Sequence, residues 1–187
     1  MVEVKGSVIV DTIDAIKGKF GDEVYNRILN NLNENDRKIF GNLVLDLGWY
    51  NLDGFVRLLE QDVSVTLNGD EKLLIARSEA LFEKQLKGIY RFFIKLGSAE
   101  FVIKNLSLVH KTYFRGVSID VKMESSNRAA VRYTGFEKQH RIIGFSIIGF
   151  FKKALEMSGA KDVNPHYTTP IEENKGYCDL VITWTGK

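Results

Sequence analysis

The pattern of apolar positions changes once along the chain, at about residue 116. Before that point, apolar residues recur every three or four positions, which is the spacing of one face of an α-helix. Ile9, Ile13 and Ile16 begin this pattern, and Gly21 is expected to end the first helix. After that point, apolar and polar residues alternate, as they do in half-buried strands. The sequence therefore predicts an α+β fold in which helices, up to about residue 115, precede a sheet in about 116–187.

The helical part contains four further predicted helices. Asp53 is a good N-cap for one and Ser98 for the last, because short polar side chains accept hydrogen bonds from the free N–H groups of a first helical turn. The Asn-rich stretch 30–36 is predicted to be a loop. The predicted helices begin near residues 24, 53, 71 and 98, and the third extends to about residue 95.

The second part predicts the order strand, strand, helix, strand, strand. Val117, Ile119 and Val121 alternate with polar residues, and Val131 and Tyr133 repeat the alternation after a polar turn. Two hairpins of this kind predict a largely antiparallel sheet covered by helices, within a single domain over 1–187. The later elements are a helix at about 138–157 and strands at about 161–169 and 177–184.

The helix at 138–157 is apolar on nearly every side, so it is expected to be buried on several sides. Gly144 and Gly149 would let a strand or another helix approach its backbone closely. Its apolar surface favours a central core helix, with a dimer interface as the alternative. We expect a homodimer in solution.

Composition narrows the possible partners. Of 187 residues, 44% are hydrophobic and 27% charged, the balance of an ordinary globular protein. The net charge is +2 with the signs interleaved, so no nucleic-acid partner is expected. The longest apolar run, 142–151, is about half of what a membrane span requires, and no signal segment is apparent. Cys178, the one cysteine, cannot form an internal disulfide and is interpreted as a small buried apolar residue, so a cytoplasmic location is expected.

Several short stretches resemble a known superfamily. The opening 5–24, with a Lys-Gly pair and then Phe-Gly-x-x-Val, is similar to the first helices of haem nitric-oxide-binding (H-NOX) domains. Stretches at 49–59, 86–98 and 159–161 are similar to an uncharacterised family of bacterial stand-alone domains. Those domains share a superfamily with H-NOX domains, 4-vinyl-reductase-type domains and TRAPP subunits. The resemblance implies an H-NOX/TRAPP-like fold and a sensory or scaffolding role, without a single chemistry.

The resemblance also raises the question of haem. His110 lies where H-NOX domains place their iron ligand, on an apolar stripe with Ile103 and Leu106. H-NOX domains hold the haem propionates with Tyr-x-Ser-x-Arg, whereas this chain has Tyr133, Gly135 and Glu137 at the matching positions. A carboxylate repels a propionate, so we expect no haem, with haem binding through His110 as the alternative.

Other chemistry lacks a sequence signal. No two His or Cys residues stand at zinc-ligand spacing, and no nucleophile elbow or phosphate-binding loop is present, so neither a metal site nor an enzyme is expected. A set of aromatic residues and one histidine could line an apolar pocket at the seam between helices and sheet, although close-packed core is the alternative for each. These candidates are Trp49, Tyr50, Phe55, Tyr90, Phe93, Phe101, His110 and Tyr133.

Three functions remain open at this stage. The first is a non-enzymatic sensory module that binds a small apolar molecule and passes a signal to a partner protein or across a dimer. The second is a protein–protein interaction scaffold with a filled core. A haem-based gas sensor using His110 is a third possibility. A cavity at the seam would favour the first function over the second.

Overall fold

The computed structural model describes residues 1–86 and 98–186. The first part is helical and the second contains a four-stranded sheet, so the predicted α+β class is confirmed. The helices are α1 (Gly6–Asn30), α2 (Glu34–Phe40), α3 (Leu52–Thr66), α4 (Leu73–Leu86), α5 (Ala99–Tyr113) and α6 (Ile143–Met157). The strands are β1 (Glu3–Lys5), β2 (Trp49–Asn51), β3 (Phe114–Arg115), β4 (Ser118–Ser125), β5 (Arg128–Thr134), β6 (Lys161–Thr169) and β7 (Tyr177–Thr185).

The large sheet has the strand order β4-β5-β7-β6, and each neighbouring pair is antiparallel. Both predicted hairpins are therefore confirmed. Along β5, residues alternate between the buried face and the outer face, so Tyr133 points inward while Arg132 and Thr134 are exposed. Cys178 pairs with Tyr133 and is buried, and this burial raises the pKa of its thiol to about 12.

A second, three-stranded sheet has the order β2-β1-β3 and was not predicted from the sequence. Its strands are two or three residues long, which is too short for an alternating pattern to show. Val4, Tyr50 and Phe114 occupy matching positions across the three strands. The sheet joins the beginning of the chain to the connection between α5 and the large sheet.

Helix boundaries agree in part with the predictions. Gly21 interrupts α1 with a φ of 85°, as expected, and the Ser98 side chain accepts a hydrogen bond from the backbone N–H of Phe101 at the start of α5. The predicted cap Asp53 is wrong, because the Asn51 side chain accepts from the N–H of Asp53 and the N-cap therefore lies two residues earlier. Helix α2 was missed, because its cap Asn33 and its first turn lie in the stretch 30–36 that was interpreted as a loop. The end of the predicted helix at 71–95 falls outside the described residues.

Helix α6 is the central element between α4 and the large sheet. A Cβ on Gly149 would lie 2.5 Å from the backbone oxygen of Ile75 in α4, and one on Gly144 would lie 3.3 Å from the ring of Tyr167 in β6. Each glycine thus permits the close approach that the sequence predicted, one to a helix and one to a strand. The core-helix interpretation is confirmed, since one side of α6 meets the sheet and another meets α4. The first residues of the predicted helix form a separate 3₁₀ turn at Lys138–His140.

Among the described residues, no helix is both long enough and apolar enough to cross a membrane.

Candidate functional site

A cavity of about 60 Å³ lies at the seam between the helices and the large sheet. Five helices, the start of β3 and the inner face of β5 form its walls. Most lining side chains are aliphatic or aromatic. The lining residues are Val8, Thr12, Ala15, Phe55, Leu59, Leu74, Arg77, Ser78, Leu81, Phe82, His110, Tyr113, Phe114, Tyr133, Ile143, Ser146, Ile147 and Phe150.

His110 is the unusual group in this wall. Its side chain is buried, with a relative exposure of 7%, and its Nε2 atom has no hydrogen-bond partner within the described part of the chain. Burial lowers the pKa of the imidazole from 6.5 to about 4, so the ring is neutral at physiological pH. An unpaired polar atom in an apolar wall is costly, which makes it a marker for a missing ligand.

Aromatic rings fix the orientation of His110. Phe114 stacks on the imidazole with ring centroids 5.0 Å apart, and Tyr133 meets it edge-on at the same distance. Phe136 contacts both Phe114 and Tyr133 and extends the cluster to His140. His110 and Phe114 are four residues apart, at the end of α5 and the beginning of β3, so local sequence places them side by side. Tyr133 comes from the facing sheet.

The positive charge at the edge of the cavity is already neutralised. Arg77 forms an ion pair with the fully buried Asp62 and donates a hydrogen bond to the Thr66 hydroxyl. Its guanidinium also lies over the ring of Phe20. The Thr12 hydroxyl donates to the backbone oxygen of Val8 in its own helix. These groups are satisfied by the protein. The rest of the lining is mainly apolar, with the hydroxyl-bearing residues Ser78, Ser146, Tyr113 and Tyr133 and the imidazole of His110.

The structure brings together three of the candidate residues. Phe55, His110 and Tyr133 line the cavity. Tyr90 and Phe93 lie outside the described residues.

Three other candidates lie elsewhere. Trp49 is on the outer face of the small sheet, where the side chains of Lys5 and Arg115 both lie over its ring. The Tyr50 hydroxyl accepts a hydrogen bond from the N–H of Leu45 in a surface loop. Phe101 is 41% exposed on α5. The physical reason is that aromatic character alone does not tell which face of a strand or helix a residue occupies.

Sequence reasoning missed the contributions of α1, α4 and α6. Val8, Leu74, Ser78 and Ile147 line the cavity, yet each looks like an ordinary core position of an amphipathic helix. No chemical signal in the sequence distinguishes a residue that lines a cavity from one that fills the core. Only the packing of the helices against each other decides whether such a residue lines the cavity or fills the core.

No protein-family model matches the sequence, and no curated protein matches it. Solved structures do match it in shape. An H-NOX protein from S. oneidensis in the Fe(II)NO ligation state has a TM-score of 0.74 and 18% identity, covering 97% of this chain and 99% of that one. The chain has an H-NOX-like fold. An Fe(II) unliganded H-NOX protein from K. algicida has a TM-score of 0.74 and 14% identity over 98% and 97% of the two chains.

A third similar structure is an oxygen complex of an H-NOX domain related to soluble guanylate cyclases, with a TM-score of 0.68 and 11% identity over 97% and 95% of the chains. At these identities the likeness concerns the fold. The resemblance inferred from short sequence stretches is thus confirmed for the H-NOX-like architecture, over nearly the whole chain.

One half of this site fits a haem. An iron ligand of the histidine type must be neutral and must present an unpaired nitrogen to the cavity. His110 meets the first condition because burial keeps it unprotonated. Its side chain lines the cavity, and its buried Nε2 atom has no partner in the described structure. Phe114 and Tyr133 hold the ring in place. The arrangement around this nitrogen is therefore suited to a metal or to a hydrogen-bond donor.

The other half does not fit a haem. Gly135 has a φ of 111°, and a Cβ there would lie 2.5 Å from the backbone oxygen of Gly116, so this backbone has no room for the serine of the H-NOX motif. Glu137 caps the 3₁₀ turn through its carboxylate, which accepts from the N–H of His140. A carboxylate here would repel a propionate.

The two arginines near this motif are already paired with carboxylates of the protein. Arg132 donates two hydrogen bonds of 2.7 Å to Asp179 on the outer face of the sheet, and Arg141 forms a two-point pair with Glu71. The cavity volume of about 60 Å³ is also well below the roughly 300–1,000 Å³ of pockets for drug-sized ligands. A porphyrin would need a new anion site and a large expansion of the seam.

Within the part of the chain that the structure describes, no group of three or more His, Cys, Asp or Glu residues is arranged to hold a metal ion.

Proposed function

We propose that this chain is a non-enzymatic sensory module that binds a small, mainly apolar molecule in the seam cavity. The observation that carries the proposal is the buried Nε2 atom of His110, which has no hydrogen-bond partner among residues 1–86 and 98–186 and belongs to a mainly apolar wall. A scaffold with a filled core would gain nothing from an imidazole there, because a leucine or phenylalanine would pack without leaving a polar atom unsatisfied. The cavity supports ligand binding over the scaffold alternative.

The size of the cavity suggests how binding could produce a signal. A cavity that holds benzene has a volume of about 150 Å³. Since this one measures about 60 Å³, a ligand of that size requires side chains to move. Tyr113 and Phe150 are half-buried at the rim, on α5 and α6, and their rings meet edge-on. A ligand that binds the expanded state better than the closed state would shift the protein toward the expanded state.

The test uses two probes of similar shape. Phenol carries a hydroxyl that can donate to Nε2, and toluene does not. We expect calorimetry to show tighter binding of phenol than of toluene, by about fivefold or more, since a hydrogen bond to a buried unpaired acceptor contributes about 1 kcal/mol net.

The matched variant is His110→Phe, which keeps the ring and removes the nitrogen. It should bind the two probes equally. The absence of binding by either probe up to its solubility limit would contradict the proposal.

Haem binding through His110 is the second candidate, and the same unpaired nitrogen on an H-NOX-like fold favours it. Bound haem would supply an iron atom for a diatomic gas. Titration with hemin, followed by absorption in the Soret region, tests this candidate directly. A saturable one-to-one complex that is lost in His110→Ala would favour haem binding over the binding of a small apolar molecule. Because the propionate positions do not fit, we expect weak, unsaturated binding instead.

A further inference from the structure

The loop between α2 and β2 carries a cluster of exposed leucines. Leu43, Leu45 and Leu47 have relative exposures of 82%, 59% and 82%. Val44, between the first two leucines, is buried at 7% and anchors the loop, whereas the other four residues of 43–47 are exposed. Single exposed apolar residues are common, but three within five positions form a patch that requires an explanation. We call residues 43–47 the leucine loop.

The leucine loop is fixed to the body of the protein along its backbone. The N–H groups of Gly6 and Ser7 donate to the oxygens of Gly48 and Asp46, at 2.9 and 3.0 Å. The Lys5 ammonium donates to the oxygen of Leu47, and the Tyr50 hydroxyl accepts from the N–H of Leu45, both at 2.8 Å. These contacts hold the backbone in place while the leucine side chains stay in solvent.

Gly6 makes this close attachment possible. A Cβ at that position would lie 2.0 Å from the backbone oxygen of Leu45, closer than any packing allows. The loop therefore rests on a position where only glycine fits. A loop held this firmly keeps its leucines out of the core, so they are already ordered for a partner.

Trp49 lies at the base of the same loop, on the outer face of the small sheet. Two cations lie over its ring, with the Lys5 nitrogen 4.7 Å and the Arg115 guanidinium carbon 4.0 Å from the ring centroid. Lys5 also binds the oxygen of Leu47, which places the cation next to the leucines. The surface thus has aliphatic side chains at its tip and, at its base, an indole with two cations over its ring.

We propose that the leucine loop docks on the surface of a phospholipid bilayer. This order of chemistry matches the profile of a membrane surface, where aliphatic groups enter the acyl region, tryptophan prefers the interface, and Lys and Arg meet the phosphates. The protein would lie on the membrane without crossing it. The feature is independent of the cavity, so the proposal does not rest on the function proposed above.

The balance of charge indicates which force dominates. Asp46 is exposed within the loop, and Glu3 lies 3.9 Å from Arg115, so the two cations of this surface are matched in number by two anions. Net electrostatic attraction to an anionic leaflet is therefore small. The leucines provide the main affinity, and phosphates of any phospholipid serve as the polar contact. Binding should change little when part of the phosphatidylcholine is replaced by phosphatidylserine.

Vesicle co-sedimentation with the whole chain tests the proposal. The probe is a set of vesicles of pure phosphatidylcholine and of phosphatidylcholine with one-fifth phosphatidylserine. The test variant is L43S/L45S/L47S, whose changes are all on exposed side chains. The matched control is L73S/F101S/L108S, which removes three apolar side chains exposed elsewhere, on α4 and α5. Circular dichroism and thermal melting confirm that both variants fold.

We expect wild type and control to bind alike and the test variant to need at least ten times more lipid. Trp49 gives an independent readout, because the other tryptophan, Trp184, is only 2% exposed. Binding should shift the fluorescence to shorter wavelength, and Trp49→Phe should remove that shift.

Two results would overturn the proposal. One is wild-type protein that does not sediment with millimolar lipid, and the other is equal binding by L43S/L45S/L47S. Light scattering distinguishes membrane docking from the main competing explanation, which is that the leucine loop is a dimer interface. If light scattering shows that wild type is a dimer, that the test variant is a monomer, and that neither binds vesicles, the leucine loop joins two copies of the chain and the proposal fails.

Discussion

His110 should make the stability of this protein depend on pH between about 6.5 and 4. Its pKa is 6.5 in the unfolded chain and about 4 in the folded one, because burial penalises the imidazolium. The unfolded state therefore binds the proton more readily. Stability from this group is fully present above pH 6.5 and is lost as the pH falls toward 4. At about 1.4 kcal/mol per pKa unit, the complete loss is about 3 kcal/mol.

The perturbation is His110→Phe, which keeps the stacked ring against Phe114 and removes the titrating nitrogens. Between pH 7 and pH 4.5, wild type should lose about 2–3 kcal/mol more unfolding free energy than this variant. At pH 7 the variant should be as stable as wild type or more so, since the substitution removes a buried polar atom that has no partner among the described residues.

Urea unfolding at the two pH values measures both quantities. His166→Phe is the matched control, because His166 is exposed on β6 and its loss removes one histidine without touching the cavity. This control should retain the wild-type dependence on pH. If the curves for wild type and His110→Phe run parallel to within about 1 kcal/mol, the imidazole is not held in an apolar wall and the argument for a ligand at Nε2 loses its basis.

Three further outcomes are expected. Gly149→Ala should destabilise the protein by about 1–3 kcal/mol in urea unfolding, because its Cβ would meet the backbone of α4, whereas Gly18→Ala, with open space around it in α1, should be neutral or stabilising. Light scattering at micromolar concentration should give twice the 21.3 kDa of one chain, and a monomer mass would contradict the expected homodimer. Elemental analysis after dialysis should show less than one zinc or magnesium ion per chain, and a full equivalent would show that a metal site was overlooked.

Sequence reasoning succeeded where a pattern was long and one-sided. Strands β4 to β7 have seven to nine residues each, enough for the alternation of buried and exposed positions to be visible. Helix α6 was recognised because both of its faces are apolar and two glycines interrupt it. These sequence patterns are local, and the structure contains the strands and the helix that they predict.

The failures come from contacts between distant parts of the chain. Strands β1, β2 and β3 are short and pair residues that are about 45 to 110 positions apart. No local sequence pattern therefore predicts them. Trp49 and Tyr50 are neighbours on β2 and therefore point to opposite faces. Tyr50 turns inward and Trp49 outward, and the aromatic pair could not be assigned to one pocket. For His110, in contrast, helical spacing from Ile103 predicted the apolar environment that the structure shows.

The candidate site is best understood through the difference between its two ends. Around His110, the protein leaves a neutral nitrogen unpaired among the described residues and holds the ring between Phe114 and Tyr133. At Gly135 and Glu137, which do not line the cavity itself, backbone crowding and a carboxylate disfavour the propionates of a porphyrin held as in H-NOX domains. A ligand that satisfies both ends has one hydrogen-bond donor and no negative charge. Comparing phenol with hemin therefore separates the two functions, because a hydrogen bond needs only the His110 end, whereas haem needs both.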